Sequence, residues 1–169
     1  PLAHSDSFYQ IDQIEPAVNA AKPFLLYIGA RYHYKNFLLL VQAFSRWKPS
    51  AEVDLVVIGA PWTEEEHRFL ADLGILPRLR LLTGCSDDDL CRLYNQAAAL
   101  VYPSLYEGFG IPLLEAIACG CPIIASRIPS TEEVAGEYPY YFEPTVLDSL
   151  VNALDRVHAE NNDPQRLRL

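Results

Sequence analysis

Short apolar runs, each followed by a segment of helical period, recur along most of this chain and restrict what it can fold into. Phe24 to Ile28 ends at Gly29, Asp54 to Ile58 at Gly59, and Leu79 to Leu82 at Thr83-Gly84. Leu100 to Tyr102, Pro122 to Ala125 and Tyr140 to Phe142 continue the series. The runs are apolar throughout rather than alternating, which is the pattern of strands buried on both faces. Between them, Asn36 to Trp47 sets Phe37, Leu40, Val41 and Phe44 on one helical face, with Pro49 just past its end. Thr63 followed by Glu66 has capping-box spacing and opens a helix through Leu73. Ser86 caps a helix whose first turn, Asp87 to Asp89, carries the sign of charge a helix dipole favours there. Helices are also expected from Pro112 to Cys119, around Thr131 to Ala135, and from Val146 to Val157. This alternation predicts an α/β fold: a Rossmann-like doubly wound parallel sheet with helices on both faces.

One such domain fits 169 residues, and with half of them apolar the chain can close a full core. We place it at residues 24–158, after a linker or N-terminal extension at 1–23 and before a tail at 159–169. A net charge of −9 argues against nucleic-acid and anionic-membrane partners, so a bound anion must be held by a local site. No apolar run reaches transmembrane length, and the N-terminus lacks the basic and apolar regions of a signal peptide. Cys85, Cys91, Cys119 and Cys121 form no Cys-x-x-Cys pair, and no histidine follows at zinc-ligand spacing. Cys119 and Cys121 flank Gly120 in an apolar segment, so buried reduced thiols and a cytoplasmic setting are expected, with no metal site. The absence of methionine suggests a fragment or a processed chain.

The stretch Tyr102-Pro-Ser-Leu-Tyr-Glu107-Gly108-Phe109-Gly110-Ile111-Pro112-Leu-Leu-Glu115 joins the fourth apolar run to a helix. Its glycines let a ligand approach the backbone, and Pro112 suits a first helical turn. Amides and dipole at that helix start favour an anion. Glu107 in the loop and Glu115 in the helix add two carboxylates, a set suited to a phosphate-bearing molecule with hydroxyl groups. Gly108-x-Gly110 is a poor dinucleotide fingerprint, because Leu113 holds the third glycine position and no acidic residue tips the next strand. A glycosidase carboxylate pair needs a set separation across one bond, which no spacing argument supplies for Glu107 and Glu115.

Glu107-Gly-Phe-Gly-Ile-Pro-Leu-Leu-Glu115 resembles the E-x7-E motif of retaining glycosyltransferases with the two-domain GT-B fold, most closely glycosyltransferase family 4. Three further segments resemble that family in the same order: Tyr27-Ile-Gly29-Ala-Arg31-Tyr-His-Tyr-Lys35-Asn36, Thr83-Gly84-Cys85-Ser86 through Ala97, and Ala118-Cys-Gly-Cys-Pro-Ile-Ile-Ala-Ser126. Pro129 through Gly136 corresponds to the family's following P-E-V-x-G. The resemblance runs from about Phe24 to Val157 and implies the C-terminal half of a GT-B fold, the donor-binding domain of a metal-independent hexosyltransferase.

Carried over by position, the resemblance implies that Glu115 accepts hydrogen bonds from ribose hydroxyls. It implies that Glu107 and the Gly108-Phe109-Gly110 backbone hold the transferred sugar, with Ile111 completing the donor-binding stretch. Arg31 and Lys35, following Gly29, would neutralise the pyrophosphate, and the main chain at Gly84 and Cys85 would meet the base. Fixed cations stabilise the charge of a departing diphosphate, so neither a metal nor a cofactor is expected. Arg31 lies two residues after Gly29, whereas many members carry the arginine directly after the glycine. The expected partners are a nucleoside-diphosphate sugar and an N-terminal acceptor-binding domain that nothing in this chain matches. Any contact with the inner membrane face would be made through that domain, and the chain alone would be inactive. Two other readings stay open: a non-catalytic nucleotide-sugar-binding or pairing module, and a GT-B nucleotide-sugar epimerase relative.

Overall fold

The computed structural model describes residues 7–12 and 22–162. Among the described residues six strands form one sheet: β1 (Phe24–Ile28), β2 (Asp54–Ile58), β3 (Leu79–Leu82), β4 (Ala99–Tyr102), β5 (Ile123–Ser126) and β6 (Tyr140–Phe142). The helices between them are α1 (Phe37–Arg46), α2 (Glu64–Asp72), α3 (Asp87–Gln96), α4 (Ile111–Ala118), α5 (Pro129–Ala135) and α6 (Leu147–Asn161). Every strand pair is parallel, and the order is β3-β2-β1-β4-β5-β6. The doubly wound sheet expected from the apolar runs is therefore present.

Alternate residues of each strand feed opposite cores. Leu25 and Tyr27 of β1 pack with Phe37, Leu40, Val41 and Phe44 of α1 and with Leu150, Leu154 and Val157 of α6. Phe24 and Leu26 face the other side, with Leu93 and Tyr94 of α3 and Leu113 and Ala116 of α4. The helical face at positions 37, 40, 41 and 44 is thus the buried one, while Leu38 between them stays exposed. Each fully buried large side chain of this kind contributes roughly 1.5–3 kcal/mol against the chain entropy lost on folding.

Helix starts follow the capping chemistry of the sequence. The Thr63 hydroxyl accepts from the Glu66 amide at 3.1 Å, and the Glu66 carboxylate accepts from the Thr63 amide at 2.8 Å. Ser86 and Asp89 repeat the arrangement at α3. Helix α6 continues to Asn161, past the expected start of the tail at 159, and residues 163–169 of that tail lie outside the described part. Most of the expected N-terminal linker also lies outside it. Residues 7–12 are described and pack on the domain, with Phe8 buried in the α3/α4 core. No helix among the described residues is long and apolar enough to cross a membrane.

The strand order places the site. From β1 the chain winds outward through β2 to β3, then returns to lay β4 on the other side of β1. Connections on the two sides of that reversal diverge, leaving a crevice beyond the carboxyl ends of β1 and β4. Gly29 through Lys35 follow β1, and Ser104 through Gly110 follow β4.

Candidate functional site

The two loops at this crevice are tied together. The Leu105 amide donates to the Tyr34 carbonyl at 2.7 Å, and the Tyr27 hydroxyl donates to the Ala30 carbonyl at 2.7 Å. Gly29 lies at φ +131°, a conformation that L side chains rarely adopt. A short 3-10 turn, His33–Lys35, ends at Asn36, which takes the left-handed conformation at φ 54° and anchors its side-chain amide on the Pro144 carbonyl at 2.8 Å.

This backbone brings Lys35 and Glu107, distant in sequence, to 2.6 Å. The Ser104 hydroxyl donates to the same Glu107 oxygen at 2.6 Å. Ser104 is only 1% exposed, so its hydroxyl is committed to this contact. The Lys35 ammonium also lies 5.5 Å from the Tyr34 ring centre and 5.8 Å from that of Tyr102, within cation–π range. Burial pushes the Tyr102 phenol well above its usual range, and the charge and hydrogen bond of Glu107 add to that effect. Tyr102 therefore keeps its phenol proton and can donate it to a hydrogen bond. A carboxylate, an ammonium and two hydroxyls are held at one point of the crevice.

The Glu107 loop then runs into α4. Gly110, at φ 84°, is the N-cap, and a Cβ there would meet Leu113 Cδ1 at 3.1 Å. Pro112 brings no N–H and the Leu113 amide is taken by the Gly110 carbonyl at 2.9 Å. The amides at the helix mouth are accordingly those of Gly108 to Ile111. Gly108 has no neighbour within 4 Å of an added Cβ, and Phe109 and Ile111 are exposed beside it. Glu115, one turn further, is half-buried and accepts the Tyr94 hydroxyl on Oε2 at 2.8 Å. Desolvation raises its pKa, partly offset by that hydrogen bond. Gly84, left-handed at φ 67°, and the partly exposed Cys85 lead from β3 into α3, the helix that carries Tyr94. Desolvation raises the Cys85 thiol pKa, so it remains protonated.

Arg31 is turned to other partners. Its Nε and Nη2 donate to the two Glu66 oxygens at 2.6 and 3.0 Å, and Nη1 and Nη2 donate to the carbonyls of Ala60 and Pro61 at 2.9 and 3.0 Å. The guanidinium also stacks 4.5 Å from the Trp62 ring centre. Arg31 therefore clamps the loop after β1 to the loop between β2 and α2. The Glu66 carboxyl is held below its ordinary range, first by the Arg31 hydrogen bond. A depressed folded pKa gives stability that is present above the unfolded value and lost as pH falls through the folded one. Arg31→Ala should lower unfolding stability near neutral pH by about 1–2 kcal/mol, since solvent reaches the Glu66 rim of the pair. Chemical unfolding across pH should show the gap to the parent closing in acid. An equal gap at all pH values would reject the clamp.

Sequence reading had not found Ser104, Tyr102 and Tyr94 as partners of the two glutamates. All three stand in apolar or motif segments where packing explains a serine or tyrosine equally well. Cys119 and Cys121 are buried, as expected from their apolar segment, and the buried Cys91 places its sulfur 3.8 Å from that of Cys119.

A family model described as Glycosyl transferases group 1 matches residues 10–168. Two curated relatives are O-antigen chain mannosyltransferase B of Escherichia coli, 34% identical over 75% of this chain, and O-antigen chain mannosyltransferase RfbU of Salmonella typhimurium, 31% identical over 79%. The chain spans only 34% and 38% of their lengths. The C-terminal domain of a group 1 glycosyl transferase (LpcC) from Francisella tularensis superposes with a TM-score of 0.76 at 22% identity, covering 94% of this chain and 89% of that one. Anabaena HepE in complex with UDP and glucose superposes at 0.72 with 20% identity, covering 85% and 40%.

Proposed function

The chain belongs to the glycosyl transferases of group 1, and on that premise we propose that it is the donor-binding domain of a retaining, metal-independent hexosyltransferase. Its fold is the Rossmann-like C-terminal half of the GT-B architecture. The observation that carries the proposal is the Lys35–Glu107 pair, fixed at the β1/β4 crevice beside the start of α4. A nucleoside-diphosphate sugar has the matching parts. Its diphosphate meets Lys35 and the amides of Gly108 to Ile111, its ribose meets Glu115, and its sugar meets Glu107. The base lies toward Gly84 and Cys85. Arg31 serves by holding the loop that presents Lys35.

In this reading chemistry consists of breaking the bond between the sugar and the diphosphate. The leaving group gains negative charge, and a preplaced ammonium in a water-poor cleft stabilises it without reorganisation. Lys35 supplies that charge in place of a metal ion. The mannosyltransferase relatives favour a mannosyl group as the one transferred. The acceptor, a glycan or a lipid-linked sugar, is bound by a domain outside this chain. Donor and acceptor must be aligned at near-attack distance, which one wall of a cleft does not achieve.

The test is transfer. The purified chain, incubated with UDP-, GDP-, ADP- and dTDP-sugars and a panel of glycan acceptors, should give no turnover. The same chain joined to an acceptor-binding domain of the family should transfer a hexose from one donor. Steady turnover by this chain alone would overturn the half-site reading. Donor binding without transfer in the joined protein would favour a non-catalytic binding module.

A further inference from the structure

Resting on the reading of Glu115 as the group that meets the ribose, we propose that Tyr94 is its positioning residue. The phenol occupies one carboxylate oxygen of Glu115 and so leaves the other directed to the ligand. Tyr94 sits on α3, fully buried, and its hydroxyl donates to Glu115 Oε2 at 2.8 Å. Burial, and after it the charge of Glu115, keeps the phenol protonated far above its ordinary range. The hydrogen bond therefore has one sense while Glu115 is ionised, with the tyrosine as donor. Glu115 projects from α4 and is half-buried. With one oxygen tied, the carboxylate cannot rotate freely, and a ligand need not spend binding energy on ordering it.

Tyr94 is itself held from behind by the segment at 8–11. The Phe8 ring meets the Tyr94 ring edge-on, with centroids 5.9 Å apart and planes at 73°. Asn95, the next residue, brackets the same segment by accepting from the Ile11 amide at 2.9 Å and donating to the Tyr9 carbonyl at 2.8 Å. Gln10 lies over Gly120, where a Cβ would come within 2.5 Å of Gln10 Nε2. Residues ahead of β1 thus complete the wall that fixes Tyr94 under Glu115.

Asp87 on α3 acts on Glu115 and raises its pKa, while Cys119 and Cys121, after α4, lie beside Tyr94. The Tyr94 hydrogen bond favours the ionised carboxylate against burial and Asp87. Removing it should move the Glu115 titration to higher pH.

The experiment uses Tyr94→Phe, which keeps the ring and its packing on Phe8. Carbon-detected NMR of the Glu115 side-chain carboxyl, without ligand, should show its titration midpoint at higher pH than in the parent. Calorimetry with UDP and with GDP should show the affinity of the one that binds reduced about three- to tenfold. The acid limb of that binding should move to higher pH. In a Glu115→Gln background, Tyr94→Phe should add no further loss. An unchanged carboxyl titration, or a full additional loss in that background, would overturn the proposal. A lowered Tm with no change in the carboxyl titration would make Tyr94 structural only, and would overturn it equally. If Glu115→Gln alone leaves both affinities unchanged, the ribose reading fails, while the ligand-free titration still decides whether Tyr94 governs Glu115.

Discussion

Glu115→Ala is expected to weaken nucleoside-diphosphate binding roughly a hundredfold or more while the chain stays folded. Two ribose hydroxyls donating to one carboxylate make two hydrogen bonds to a charged acceptor, each worth about 1.5–3 kcal/mol. Truncation also strands the Tyr94 hydroxyl, which donates to Glu115 Oε2 at 2.8 Å, and some stability should go with it. Glu115→Gln separates the two effects, because the amide oxygen still accepts from Tyr94. Calorimetry with the matched nucleotide should show a large loss for both variants, and thermal unfolding should show the smaller loss for glutamine. Parent-like affinity in either variant would reject the ribose role.

The second large effect concerns Lys35. If Lys35 meets the diphosphate as proposed, Lys35→Ala removes a charge-assisted phosphate contact and should weaken the nucleoside diphosphate about ten- to a hundredfold while leaving the nucleoside nearly unchanged. In the chain joined to an acceptor-binding domain of the family, as in the transfer test, the loss of fixed positive charge should cost transfer about 10²–10³ in rate. Glu107 behaves differently because Lys35 rests on it at 2.6 Å in the ligand-free chain. A diphosphate must compete for that ammonium. Glu107→Gln should therefore bind the free diphosphate no more weakly than the parent, yet bind the nucleotide sugar more weakly. If it weakens both ligands alike, Glu107 does not meet the sugar.

Much of the scaffold was legible before any coordinates. Phe24 to Ile28, Asp54 to Ile58, Leu79 to Leu82 and Tyr140 to Phe142 are strands over those same residues, since an apolar run stopped by a turn has few other uses. Thr63/Glu66 and Ser86/Asp89 are local chemistry and form as written. The strand order was not legible, because which side of β1 receives β4 depends on contacts distant in sequence. The same limit hid the partners in the site. Arg31 and Lys35 stand four apart, and on a helix they would share a face. They lie instead on an irregular loop with a 3-10 turn and a left-handed Asn36, so one turns to Glu66 and the other to Glu107. Residues 8–11 carry no period at all, and only their packing shows that they back Tyr94.

The central claim, that the crevice beyond β1 and β4 holds a nucleotide sugar, is tested most directly by amide NMR of the labelled chain. UDP-, GDP-, ADP- and dTDP-mannose would be titrated one at a time. One of them should give saturable shifts at Gly29, Gly84 and Gly108 through Ile111, and Glu115→Gln should abolish them at the same concentrations. A separate hollow of about 520 Å³, lined by Arg127, Glu132, Glu137 and Arg156, serves as the control surface. Shifts centred there and untouched by Glu115→Gln, or no saturable shift with any of the four, would contradict the assignment of the site.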